Sequence, residues 1–143
     1  MKKLWKKLLC YTLTICMCSS FSFANAAVTS SNYLDSYCAA VTPIGRGKIV
    51  ITVDVNAIVD ATEIGASRIY LYESSNGVDF TCTEEFFPED YPLMLGSGYH
   101  HCKDAITYQG TVGYSYYANV YCYAGDSTGS HERVYSTAIV TAY

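Results

Sequence analysis

Basic side chains are scarce in this chain. Nine lysines and arginines stand against thirteen acidic residues, and four of the lysines fall within the opening MKKLWKK. Beyond that start only Arg46, Lys48, Arg68, Lys103 and Arg133 remain, which leaves the rest of the chain at a net charge of −8 with histidines neutral. A domain so charged repels phosphate backbones and anionic bilayers, so neither nucleic acid nor a membrane surface is expected as a partner. Long apolar runs are missing too. The one candidate, Leu8 to Met17, is about ten residues, short of the roughly 20 that cross a bilayer. After it come Ala24-Asn25-Ala26, a small-x-small cleavage signal. Basic start, short apolar run and cleavage signal, in that order, predict a secretory signal peptide over 1–26 and a mature domain over 27–143. The residues before Cys16 and Cys18 are not the small ones a lipoprotein signal needs.

Catalytic and metal signatures are absent as well. There is no H-E-x-x-H, no EF-hand spacing and no G-x-S-x-G elbow, so no catalytic, cofactor or metal residue is assigned and no enzyme is expected. Glu84, Glu85, Glu89, Asp90, His100, His101 and Asp104 cluster by sequence, and read as a solvated acidic segment. Paired C-x-x-C spacing is also lacking. Four cysteines remain after the leader, Cys38, Cys82, Cys102 and Cys122, spaced 44, 20 and 20 positions apart. An even number in a small exported domain predicts two disulfides rather than a zinc cluster, with three pairings open.

What the chain has instead is strand pattern. No helical apolar period of any length follows the leader. In Gly47 to Ala57, Ile49, Ile51, Val53, Val55 and Ala57 fall on one side and Val50, Thr52, Asp54 and Asn56 on the other, the signature of a half-buried strand. Further strands are predicted at 33–42, 66–73, 78–83, 105–112, 114–124 and 133–142. Asn76-Gly77 supplies a hairpin turn, and Gly125 to Ser130 a polar one. One long break, 84–104, carries Pro88, Pro92, Gly96 and Gly98 and reads as a loop. Seven strands joined by such turns predict an all-β, seven-stranded antiparallel β-sandwich.

The stretch YSYYANVYCYA, residues 114–124, holds five of the fifteen tyrosines. With the preceding Gly113 it resembles the F strand of fibronectin type III and Ig-like domains, in which a Gly, two residues and a Tyr precede alternating apolar positions. AITYQGTV then resembles the E strand, and ASRIYLYESSNGVDF the C and C′ hairpin. The whole chain is also similar to a family of small secreted Firmicutes proteins, which implies compartment and fold and no activity. The resemblance implies that Tyr116 is the tyrosine corner and that Ala118, Val120 and Cys122 point inward. It implies the pairings Cys38–Cys122 and Cys82–Cys102.

By alternation Tyr117, Tyr121 and Tyr123 then point outward, with Tyr70 and Tyr72 on the neighbouring strand as candidates to widen the same face. Tyrosine presents a rigid amphipathic surface at small entropic cost. The expectation is therefore a secreted binding or adhesion module for a protein or glycan ligand outside the cell, with the Glu84 to Lys103 segment beside its face. The alternatives are a self-associating cell-surface structural protein and, last, a metal-dependent hydrolase on the acidic segment.

Overall fold

The computed structural model describes residues 31–143; the leader expected over 1–26 lies outside them. The described chain is all-β and antiparallel: β1 (Leu34–Gly45), β2 (Lys48–Ser74), β3 (Thr81–Phe86), β4 (Leu95–Gln109), β5 (Ser115–Asp126), β6 (Gly129–Ser136) and β7 (Val140–Thr141), with one 3-10 turn at Pro92–Met94. Among these residues no helix is long and apolar enough to cross a membrane.

β2 organises everything else. It runs for 27 residues where the sequence predicts two separate strands. Its first part, Lys48 to Asn56, lies between β1 and β4. Its last part, Ile69 to Glu73, lies between β3 and β5. Between these regions the register shifts at Asn56/Ala61 and Ala61/Ile64 against β4 and at Ala66/Arg68 against β5. Such bulges bend a strand and increase its twist, so β2 can serve two strand sets in succession. β6 continues outward from β5, and β7 also pairs with β5.

The bend is possible because of Gly65. Its φ is +139°, and a Cβ there would stand 2.1 Å from the Met94 carbonyl oxygen. A side chain would therefore drive the start of β4 away from β2. This also corrects the reading of 84–104 as a loop. Thr81–Phe86 and Leu95–Gln109 are both strands, and Gly96 and Gly98 pair with Ile64 and Ala61. Gly96 accommodates the close approach of the His101 ring, and Gly98 takes a φ of +106°, so neither ends the strand.

One buried cluster takes side chains from both parts of β2: Ile49, Ile51, Val53 and Val55 from the first, Ile69 and Leu71 from the second, joined by Ile106 of β4 and Val120 of β5. Each such fully buried side chain contributes about 1.5–3 kcal/mol. The sheet therefore curls over its own core. Tyr37 of β1 meets Tyr135 of β6 edge to face, with ring centres 6.4 Å apart. The Tyr33 hydroxyl reaches Thr128 Oγ1 at 3.0 Å.

The four cysteines of the domain are free thiols, so the two expected crosslinks are not present. The alternation that forms the strands is the reason for one of them. Cys122 faces the core and is fully buried, whereas Cys38 is exposed and its neighbour Ala39 turns inward. Cys38 is near enough to act on the Cys122 thiol, but the two side chains leave their strands on opposite sides and are not bonded. Cys82 pairs with Tyr72 near the end of β2 and Cys102 with Asp54 in its first part, 18 positions away along that strand.

Candidate functional site

The candidate site is the outer face of the last part of β2 and of β5. Burial in β5 alternates without interruption from Ser115 to Ala124: Tyr116, Ala118, Val120, Cys122 and Ala124 are buried, and Ser115, Tyr117, Asn119, Tyr121 and Tyr123 look outward, half-exposed. On β2, Ile69 and Leu71 are buried, so Tyr70 and Tyr72 take the outer face. That settles an orientation the sequence left open.

Register then builds the face row by row, because paired positions in an antiparallel sheet share a side. Tyr72 lies opposite Tyr117, Tyr70 opposite Asn119, Arg68 opposite Tyr121 and Gly65 opposite Tyr123. The Tyr72 and Tyr117 rings are stacked, 4.8 Å apart and inclined by 3°. Phe80 meets Tyr117 edge to face at 5.0 Å, and Tyr70 meets Tyr121 at 5.6 Å. The Arg68 guanidinium sits 4.0 Å from the centre of the Tyr121 ring and pairs with Glu132 of β6 at 3.1 Å. The Ser67 hydroxyl also donates to Glu132. At the far end, a Cβ on Gly125 would lie 2.6 Å from the Tyr123 hydroxyl, so that ring needs a glycine beneath it.

Polar groups punctuate the band. The Ser136 hydroxyl donates to Asn119 Oδ1 at 2.7 Å, in the row opposite Tyr70. Partial burial, then the fields of Cys82 and Tyr117, hold the Tyr72 phenol above its ordinary value, so it remains a neutral donor. Sequence reasoning missed Phe80 and Arg68. Phe80 lies just before β3 in the connection from β2, and Arg68 reaches the face only because a bulge separates it from Ala66.

Tyr116 stays beneath this face. Its ring is fully buried, its hydroxyl oxygen accepts the Thr111 amide at 2.8 Å and the hydroxyl donates to Glu73 at 3.3 Å. Burial first, and then the Glu73 carboxylate, raise its pKa.

The residues of the predicted acidic segment do not converge on this face. Glu84 and Glu85 are exposed on β3, and Glu89 and Asp90 are exposed before the 3-10 turn. His101 is buried, its Nε2 3.1 Å from the Leu93 carbonyl and its ring against Gly65 and Gly96. Burial is the main cause that lowers its pKa, so it is a neutral donor that pins the 3-10 turn to the sheet. His100 and Asp104 face outward on β4, to Asp54 at 2.9 Å and to the Thr52 hydroxyl at 2.7 Å.

The arrangement offers ring edges, phenol hydroxyls and one guanidinium on a firm sheet. It is suited to non-covalent contact. No protein-family model, curated protein or solved structure matches the chain.

Proposed function

We propose that this protein is a secreted β-sandwich of Ig-like or fibronectin III-like type that binds a partner outside the cell through the aromatic face of β2 and β5. The observation that carries the reading is the register row Tyr72–Tyr117, Tyr70–Asn119, Arg68–Tyr121, with Tyr123 beyond it. Tyrosine and arginine are enriched among the residues that dominate contact energy at protein interfaces, tyrosine because its rigid ring costs little entropy to order. Two of the rings already use faces on each other. One face of each ring in that pair is thereby covered, which leaves less open ring face for the stacking of a sugar than for contact with a protein surface. The sandwich assignment draws support from the core shared by both parts of β2 and from the Tyr116–Thr111 bond, the geometry of a tyrosine corner. Export rests on the leader pattern alone.

The test is a screen of the purified protein against protein and glycan arrays, repeated with Tyr117, Tyr121 and Tyr123 all changed to Ser. Binding to a protein that disappears in the triple variant, with the β-sheet spectrum retained, supports the reading. Binding that survives all three changes refutes it.

One observation favours a second reading. β6 pairs only with β5 among the described residues, and its Val134 is 49% exposed. An open, partly apolar strand edge can pair with a second copy. Sedimentation separates the two: a monomer at every concentration removes self-association.

A further inference from the structure

We propose that the outer face of β1, β2 and β4 holds a divalent metal of the zinc class, bound by Asp54, His100 and Cys102. The three residues come from two adjacent strands in register. Cys102 is the direct pair of Asp54, and His100 is two residues earlier on β4, on the same side. One donor atom from each lies within 4.8 Å of the others, and His100 Nε2 is already 2.9 Å from Asp54 Oδ1. Ligand distances of about 2.0–2.3 Å around one ion are reached by closing donor separations that are already no more than 4.8 Å. His100 and Cys102 are exposed and Asp54 is half-buried, so an ion enters from solvent without opening the fold.

The donor set selects the metal. Calcium and magnesium take oxygen ligands. One thiolate, one imidazole and one carboxylate suit zinc, cobalt or nickel. Binding takes Cys102 as thiolate and His100 as neutral imidazole, and releases the thiol proton to water.

Three protein ligands leave a fourth position open. Beside Asp54, on the β1 side, lies a shallow depression of about 180 Å³ lined by Ser36, Tyr37, Cys38, Asp54 and Asn56. Water or a small anionic ligand would complete the coordination there. Cys38, across from Asp54 on β1, stands at the rim. Two strand spacings separate it from Cys102, roughly 9–10 Å between Cα atoms, beyond the reach of a disulfide. The row therefore keeps Cys102 from forming a crosslink with Cys38 and leaves it free to ligate. This face is a different part of the sheet from the tyrosine band, and the inference does not depend on a binding partner.

The experiment is a cobalt(II) titration of the full-length protein, reduced with a phosphine and freed of metal, followed by competition with zinc. Expected is one equivalent bound in the described domain, with a thiolate-to-cobalt charge-transfer band that zinc abolishes. Cys102→Ser should remove the band. Asp54→Asn and His100→Ala should each weaken zinc binding by more than the roughly 10–100-fold that changes outside the ligand shell produce. Cys38→Ser and Cys82→Ser should retain the band. All five positions are exposed or half-exposed, and a circular dichroism spectrum confirms each fold. Absence of the band, its persistence in Cys102→Ser, or its loss in Cys38→Ser overturns the assignment.

Discussion

The Tyr116 hydroxyl, at the inner start of β5, accepts the backbone amide of Thr111 at 2.8 Å. A fully buried ring thus fixes the turn that leads into its own strand. Tyr116→Phe keeps the packing and leaves that amide without its partner. The cost of an unsatisfied partly buried donor is about 1–3 kcal/mol. Urea denaturation of the variant should show a midpoint lowered accordingly at an unchanged slope. An unchanged midpoint would show that water replaces the hydroxyl.

Burial drives the Cys122 thiol up to about 12, with a smaller contribution from Cys38. A thiolate is the reactive species, so this residue should be inert while the fold is intact. At pH 8.5 with a chelator present, iodoacetamide should label Cys38, Cys82 and Cys102, all exposed, and spare Cys122. Denaturant should expose it. The same shift has a stability sign. A thiol whose value is raised by folding stabilises fully below its unfolded value near 9 and loses that contribution as pH rises towards 12. The raised Tyr116 phenol acts in the same direction at the alkaline end. Peptide mapping that finds Cys122 alkylated in native protein would contradict the buried placement.

The acid side belongs to His101. Burial lowers its pKa below the ordinary 6.5. Its neutral form is the one compatible with the fold, so stability is complete above about pH 6.5 and falls as pH drops through that value. Denaturation midpoints measured between pH 7.5 and 5 should decline in the native sequence and decline less in His101→Gln. Parallel slopes would mean that His101 protonates without consequence.

How far all this was legible in the sequence depends on where alternation is unbroken. Residues 115–124 of β5 and 48–57 of β2 keep strict period two, and their inner and outer faces follow directly. The region from Ile58 to Gly65 does not. Bulges reset the phase there, so a period-two reading stops at Ala57, resumes at Ala66, and finds two strands where one bends. Gly96 and Gly98 look like strand breakers until the His101 ring is seen filling the space of a Gly96 side chain and Gly98 is seen to take φ +106° within the strand. The cysteine count carried parity and no direction; only side-chain orientation shows that Cys38 and Cys122 point to different sides. Asp54, His100 and Cys102 are separated by up to 48 positions, and the β2–β4 register alone brings them together.

Among the glycines of the described residues, Gly65 leaves the least room for a side chain. Gly65→Ala asks an L-residue to hold φ +139° and to place a methyl 2.1 Å from the Met94 oxygen. The strain alone costs about 1–3 kcal/mol, and the clash adds to it by separating β2 from the start of β4. The expected result is a loss of at least about 2–3 kcal/mol or failure to accumulate folded protein. A variant with native stability would mean that the bend lies elsewhere.

The stacked pair Tyr72 and Tyr117 separates the structural from the recognition role of the tyrosine band. Tyr117 touches both Tyr72 and Phe80, so its removal should lower stability whether or not it meets a partner. A double-mutant cycle with Tyr72→Ser and Tyr117→Ser isolates the ring–ring coupling, expected at about 0.5–1.5 kcal/mol. Tyr123 stands at the end of the band, over Gly125 and outside the ring pairs that join Tyr72, Tyr117, Phe80, Tyr70 and Tyr121. Tyr123→Ser should therefore leave the melting temperature nearly unchanged while weakening any partner that docks on this face. If Tyr72 and Tyr117 show no coupling, the rings are held apart by solvent in solution. The case for a rigid, preorganised surface would then fail, even if the tyrosines individually contact a ligand.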